Sequence, residues 1–513
     1  MESIHRKGEL WASTDDGLVH VSRNDGETWT DVTPKNMPEW AYIGNVEISM
    51  HDADTVYLSA TRFKLSDYKP YLFKSCDSGQ TWSLISDNFP QNEITRVIRS
   101  DIKSVGLLFV GTETGILVSN NDGKNWERMK GKLPVVPVYD LKIKDDDLVV
   151  ATHGRSFWIL DDITPLRASI NEKISLELIM PRTTIRQNIH WSAGIFNGDG
   201  KDYSPAFGVP GTSYMAESID GKKERKYLDT GENPPLGAII YYWLNDNNVG
   251  KPVKISIKDG SGATIATCDS GNDKESEKRK PTSYLGLNRF VWDLTENGPT
   301  SLDDSLKVKK YEPFSKEGGG PAGAKVKPGK YQVVVDIGGQ NKNCELEVIS
   351  DPRISVTDED FAEQHGLYGS VVAKLSELNI AVNRVRLMKQ QLKNMHKIMP
   401  EENKRIDELI ASLDNVEGSL IDTKRETPRD VLRHEAGLDD TLINLLWVIK
   451  IADSKPPLQT KEVTEDVFGQ VDKVLSKLES LIKNEITDFN ELIAKASPPT
   501  ISSSSVGAPK TGW

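Results

Sequence analysis

Three eight-residue stretches recur in the first quarter of the chain: Ser22-Arg23-Asn24-Asp25-Gly26-Glu27-Thr28-Trp29, Ser75-Cys76-Asp77-Ser78-Gly79-Gln80-Thr81-Trp82 and Ser119-Asn120-Asn121-Asp122-Gly123-Lys124-Asn125-Trp126. Ser, Asp or Asn, Gly and Trp hold the same offsets in each, and the copies start 53 and then 44 residues apart. A period of that length is one supersecondary unit repeated in space, and four short strands fill it. The copies read as a turn device. Asp or Asn bonds its own backbone two residues on, Gly supplies a positive φ, and the Trp that enters the next strand locks the hairpin onto the core. Each of Trp29, Trp82 and Trp126 is therefore expected to be largely buried. Alternating apolar runs stand before the later copies, at 55–60 and 107–112, and read as strands. A fourth unit over 148–162 keeps the strand pair and lacks the box, as terminal repeats often do.

The boxes Ser22/Asn24/Gly26/Trp29, Ser75/Asp77/Gly79/Trp82 and Ser119/Asn121/Gly123/Trp126 resemble the Asp-box, or BNR, repeats of sialidase-like and sortilin-like β-propellers. The exit Pro165-Leu166-Arg167 looks like that of large bacterial glycosyl-hydrolase-like BNR proteins, whose propeller is followed by an Ig-like domain. The motifs cover residues 8–167; beyond them the resemblance is one of domain order. Asn24 and Asn121 stand where the family prefers Asp, and Asn makes the same turn bond. The resemblance implies an extracellular or periplasmic protein. Residues 1–7 have no apolar stretch of the kind a secretory signal needs, and the chain is expected to enter the array inside a repeat.

At 513 residues the chain exceeds the roughly 250–300 that one core serves. The expected fold class is mainly β plus α. It comprises the C-terminal blades of a partial Asp-box propeller over 1–167, a connecting arm over 168–235, an Ig-like β-sandwich over 236–352, a helical bundle over 353–496 and a disordered tail over 497–513. The sandwich follows from short strands separated by Gly, Pro and Asn clusters, with a flexible insert at 317–323. The bundle follows from apolar stripes stepping by three and four: Val371 to Met395, Ile406 to Leu420, Leu438 to Ile449 and Val467 to Ile493.

A net charge of −12 and a pI near 5.4 argue against a sequence-independent hold on nucleic acid. No segment is apolar enough to span a membrane, and the sequence implies no cofactor and no metal. His365, His396 and His434 lie on helices, too far apart for a zinc pattern, and read as solvated. Cys76, Cys268 and Cys344 leave two alternatives: a Cys268–Cys344 bridge within the sandwich, or unpaired thiols.

Chemistry has two candidate locations. Arg96, Arg99 and Arg155 are candidates for the arginine cluster with which a sialidase holds its substrate carboxylate. His153 and Arg155, between two strands of the fourth unit, are either ligand-facing or fixed by an ion pair to Asp161 or Asp162. The leading expectation is a non-catalytic interaction or scaffold protein with a protein or glycan ligand, its blades completed by a second copy or a partner chain. The alternative is a sialidase-like glycoside hydrolase whose catalytic residues lie partly on blades outside this chain.

Overall fold

The box residues fold by one hydrogen-bond scheme used three times. The backbone N–H of Gly26, Gly79 and Gly123 donates to the hydroxyl of Ser22, Ser75 and Ser119 at 2.9, 2.8 and 2.9 Å. That hydroxyl donates in turn to Asn24, Asp77 and Asn121. The same side-chain oxygens accept from the N–H of Thr28, Thr81 and Asn125 at 3.0, 2.8 and 2.9 Å. The Asp or Asn thus reaches four residues on, where the sequence suggested two. Two consecutive positions turn left-handed in every box, Asp25–Gly26, Ser78–Gly79 and Asp122–Gly123, so the glycine is needed for its φ of 83–90°.

The structure, a computed structural model, describes residues 1–168, 176–187, 201–202, 213–217, 223–227, 234–272, 279–306, 321–424 and 436–496. It divides into two units, Met1–Glu172 and Lys173–Trp513. The described residues of the first unit form four antiparallel sheets in chain order. The first is β1 (Leu10–Ser13), β2 (Val19–Ser22) and β3 (Thr30–Asp31). The second is β4 (Tyr42–Ile48), β5 (Val56–Arg62), β6 (Asp67–Ser75) and β7 (Ser83–Leu84). The third is β8 (Thr95–Ser100), β9 (Leu108–Thr112), β10 (Ile116–Ser119) and β11 (Glu127–Arg128). The fourth is β12 (Val138–Lys144), β13 (Asp147–Thr152) and β14 (Phe157–Leu160), and the one-turn helix α1 (Thr164–Arg167) follows it.

Each sheet packs face to face on the next. Because side chains alternate along a strand, β5 sends Val56 and Leu58 into the core shared with the first sheet and Tyr57 into the core shared with the third. Likewise β9 sends Phe109 one way and Leu108 and Val110 the other. Burial on both faces explains why 55–60 and 107–112 read as nearly continuous apolar runs. The sheets are also bonded through their turns: His5 Nε2 pairs with the Ser49 carbonyl at 2.8 Å, and His51 Nε2 with the Asp101 carbonyl at 2.9 Å.

The box tryptophans depart from expectation. Trp82 and Trp126 donate their indole N–H to the carbonyls of Val32 and Ile85, the residues after β3 and β7, at 2.7 and 2.8 Å. Each thus ties its sheet to the one before. Trp126 is 7% exposed, Trp82 is half-buried and Trp29 is 44% exposed. The expected burial is therefore met by Trp126 and not by Trp29.

In the second unit β15 (Leu176–Ile179), β20 (Ala238–Leu244) and β23 (Gly286–Trp292) form one sheet. β16 (Thr184–Arg186), β25 (Gln340–Ser350), β24 (Gly329–Ile337), β21 (Val253–Lys258) and β22 (Thr264–Asp269) form another, with β16 parallel to β25. Their inner faces share one core, including Tyr242, Ile255, Val333 and Trp292. A third sheet, β17 (Lys201–Asp202), β18 (Ser213–Glu217) and β19 (Lys223–Tyr227), completes the strands. The stretch 168–235, expected as a connecting arm, therefore supplies edge strands to both core sheets. Its Gly and Asn content masked two strands too short to show a period.

Cys268 on β22 and Cys344 on β25 are not in a disulfide. Two strands separate theirs, three spacings or about 14 Å, against about 7 Å between the α-carbons of a disulfide. Burial pushes the Cys344 thiol up to about 12.

The described C-terminal residues are helical: α2 (Asp358–Ile398), α3 (Asn403–Leu420), α4 (Leu438–Lys450), α5 (Leu458–Leu481) and α6 (Thr487–Ala496). Thr357 and Asp360 close a reciprocal capping box on α2. Between α5 and α6 the turn Ile482–Ile486 is π-helical. The apolar step from Leu481 to Ile486 is five residues, and the extra residue of a π turn keeps both in the core. The positions 317–320, His434 and the tail 497–513 lie outside the described residues. Among the described residues no helix is long and apolar enough to cross a membrane, and no group of three or more His, Cys, Asp or Glu could hold a metal.

Candidate functional site

The first strands of three sheets, β4, β8 and β12, carry the same irregularity at the same place. A bulge falls between Ile43 and Asn45, between Thr95 and Val97, and between Val138 and Asp140. The bulged residues are Gly44, Arg96 and Tyr139. A bulge turns its side chain out of the ladder and is common beside functional sites. At Gly44 a Cβ would meet the Arg96 carbonyl oxygen at 2.1 Å, so only glycine lets β4 and β8 approach this closely. The neighbouring strands are cross-linked: Ile98 N–H donates to Asn45 Oδ1 at 2.8 Å, Asn45 Nδ2 to the Ile98 carbonyl at 3.0 Å, and Arg99 Nε to the Leu141 carbonyl at 2.7 Å.

Arg96 and Tyr139 consequently meet. The guanidinium lies 4.5 Å from the Tyr139 ring centre and 5.0 Å from that of Phe63, and Tyr139 stacks on His153 at 5.0 Å with the planes 30° apart. Phe63 and His153 come from the loops after β5 and β13, and Glu113, from the loop after β9, holds Arg96 in an ion pair. The result is a stack Phe63–Arg96–Tyr139–His153 drawn from three sheets. Tyr139 is 49% exposed and His153 is exposed. By strand direction the boxes lie at the other end of the sheets.

Three residues along from each bulge stand Glu47, Arg99 and Lys142. Arg99 pairs with Glu47 at 3.0 Å and with Asp140 at 2.7 Å. Burial raises the Glu47 carboxyl above its ordinary value, and the Arg99 charge and the Ser100 N–H pull against that rise. Arg96 and Arg99 are thus each held by carboxylates of the chain itself.

Arg155 shares the His153 loop, where its carbonyl accepts the Trp158 indole N–H at 2.9 Å and its side chain is exposed. Asp161 and Asp162 follow β14 at its far end, about 13 Å along the strand. There Asp162 accepts from Thr164 rather than closing an ion pair with Arg155. In the second unit His365 and His396, both expected on solvated faces, are half-buried, and bond Glu296 at 2.9 Å and Asp407 at 3.2 Å.

No family model matches the chain. It is 25% identical over 113 residues to the oligoxyloglucan-reducing end-specific xyloglucanase of Emericella nidulans, a match covering 21% of this chain and 14% of that enzyme. Among solved structures it is similar to YCF48 bound to D1 peptide, at 16% identity and a TM-score of 0.24 over 56% of this chain and 90% of that one. It is also similar to the GH74 xyloglucanase from Xanthomonas campestris, at 12% identity and a TM-score of 0.25 over 65% and 58%. The functional reading rests on the chain's own geometry.

Phe63, Tyr139 and Glu113 went unsingled in the sequence. The signal present was the alignment of Gly44, Arg96 and Tyr139, each three residues before Glu47, Arg99 or Lys142.

Proposed function

We propose that residues 1–167 are blades of an Asp-box β-propeller, and that the chain is a non-catalytic interaction protein binding a protein or glycan ligand on the Phe63–Arg96–Tyr139–His153 stack. In this reading β4, β8 and β12 are the strands lining the propeller axis, the two core sheets of the second unit are the Ig-like sandwich, and the helices are a scaffold. The box residues serve as structure at the opposite end.

The stack is the observation that carries the reading. Ring faces with a guanidinium fixed between them suit the apolar face of a sugar or an aromatic or proline side chain, and each such contact contributes about 0.5–1.5 kcal/mol. Glu113, Glu47 and Asp140 beside it are paired with Arg96 or Arg99, which supports binding over the acid–base pair that glycoside cleavage requires. A location outside the cytoplasm belongs to the same proposal. The exposed Phe157 and Ile159 of β14 support a second copy or partner chain packing there.

Xyloglucan oligosaccharides, other plant and bacterial glycans and synthetic aromatic-rich peptides form the test panel, each read for binding by calorimetry and, for glycans, for release of reducing ends. One class is expected to bind without turnover, and Tyr139→Ala to weaken it about tenfold, near 1.4 kcal/mol, with an unchanged melting curve. Sustained release of reducing ends that Glu113→Gln or Glu47→Gln abolishes would establish the hydrolase instead.

A further inference from the structure

Ahead of β4 the chain makes a four-residue turn, Pro38–Ala41, closed by the Ala41 N–H on the Pro38 carbonyl at 3.2 Å. Its third residue, Trp40, has a φ of 61°. That position favours Gly or Asn, because a larger side chain brings its Cβ against a backbone carbonyl. Elsewhere among the described residues the non-glycine positions of positive φ are held by Asp, Asn or Ser, whose short polar side chains tolerate it, with one exception. Leu294 is 1% exposed, so packing in the core offsets its conformation. Trp40 is 67% exposed. It carries the same strain and gains little burial in return.

The turn is firmly held. Ala41 is fully buried, the Glu39 carbonyl accepts Arg62 Nε at 2.9 Å, and a Cβ on Gly17 would meet the Ala41 carbonyl oxygen at 3.2 Å. Arg62 immediately precedes Phe63, the first ring of the stack, so the bond that clamps the turn fixes Trp40 at the same end of the sheets. Tyr42, two residues on, is 42% exposed and has Lys64 Nζ 5.7 Å from its ring centre.

The neighbouring loops show aliphatic side chains as well: Leu65 is 53% and Val135 83% exposed. Sugars stack on flat rings, whereas aromatic and aliphatic side chains grouped around an arginine match what protein partners bury. Charge narrows the partner further. At this end of the third and fourth sheets the carboxylates Glu93, Glu113 and Asp140 are paired with Arg128, Arg96 and Arg99. Lys130 and Lys132, ahead of β12, and Arg155, ahead of β14, are exposed, and among the described residues they have no ion pair. In a chain with a net charge of −12 this cationic margin is local.

We propose that this end of the first unit docks an acidic segment of a partner protein, its carboxylates on Lys130, Lys132 and Arg155 and an aromatic or proline side chain on the rings, with Trp40 kept for that contact. Such docking presupposes that the ring stack is a binding surface.

The immobilised full chain is used to select from a random peptide library, and the enriched peptides are titrated against wild type, Trp40→Gly and Tyr139→Ala by fluorescence anisotropy. Peptides rich in Asp and Glu around an aromatic or proline residue are expected. Trp40→Gly should bind them at least about tenfold more weakly, and added salt should weaken binding to wild type by screening the exposed charges. The unfolding midpoint of Trp40→Gly should equal or exceed that of wild type, because glycine takes a positive φ without strain. A lowered midpoint, or equal affinity of wild type and Trp40→Gly, would overturn the role of Trp40. Enrichment of basic or uncharged peptides, or of none, would overturn the acidic partner. Binding lost in Tyr139→Ala but kept in Trp40→Gly would leave the ring stack standing as a binding surface and sink only this extension, whereas affinity unchanged in both variants would remove the binding surface itself.

Discussion

Trp126→Ala is expected to lower stability by about 3–5 kcal/mol, and Trp29→Ala by less than about 1 kcal/mol, although the two residues hold the same place in the same motif. The difference is the neighbouring sheet. Trp126 packs edge-on to Phe89 at 5.4 Å, sits in the core between the second and third sheets, and satisfies its indole N–H on the Ile85 carbonyl. Removing it opens a cavity and takes the donor from the half-buried Ile85 carbonyl. Trp29 is 44% exposed and belongs to none of the cores between the described sheets. Urea titration of the full chain, followed by circular dichroism, measures both. Equal losses would mean that the box tryptophan acts within its own hairpin and that the sheet-to-sheet bond contributes little.

That contrast also shows where the sequence was legible. The boxes announced themselves because each of Ser75, Asp77 and Gly79 and their counterparts performs a local task, a turn bond or a positive φ, that few residue types can do. The helical stripes were legible for a similar reason: Leu375, Leu378, Val382 and Val385 face one core at a spacing set by the helix itself. Burial of Trp29 was not, because it depends on what lies across the gap. The same holds for the ring stack. Phe63, Arg96, Tyr139 and His153 stand on three sheets and meet only because bulges at equivalent positions aim two of them together. The second turn device was readable in principle, since Ser3-Ile4-His5 and Ser49-Met50-His51 repeat 46 residues apart. It lacks the glycine and tryptophan that draw attention to a repeat.

The helical region offers the other large effect, and its sign depends on how many residues are changed. Glu417 on α3 accepts from Arg386 Nε and Lys389 Nζ on α2, both at 2.7 Å. The three side chains are 4, 3 and 10% exposed. Burial alone would lower the Lys389 ammonium, but its bonds to Asp414 and Glu417 outweigh that and leave it raised above its ordinary value. The charge of Glu417 therefore compensates two desolvated cations at once. Glu417→Gln keeps the shape and removes that compensation, and should cost about 3–5 kcal/mol. A purely attractive view of the ion pairs predicts that removing all three charges costs still more. Desolvation predicts the reverse: Arg386→Met, Lys389→Met and Glu417→Leu together replace three dehydrated charges with apolar volume, and the triple variant should be more stable than Glu417→Gln alone. Unfolding midpoints of wild type, single and triple variants decide between the two views. A triple variant less stable than Glu417→Gln would show that attraction within the buried triad exceeds the cost of burying it.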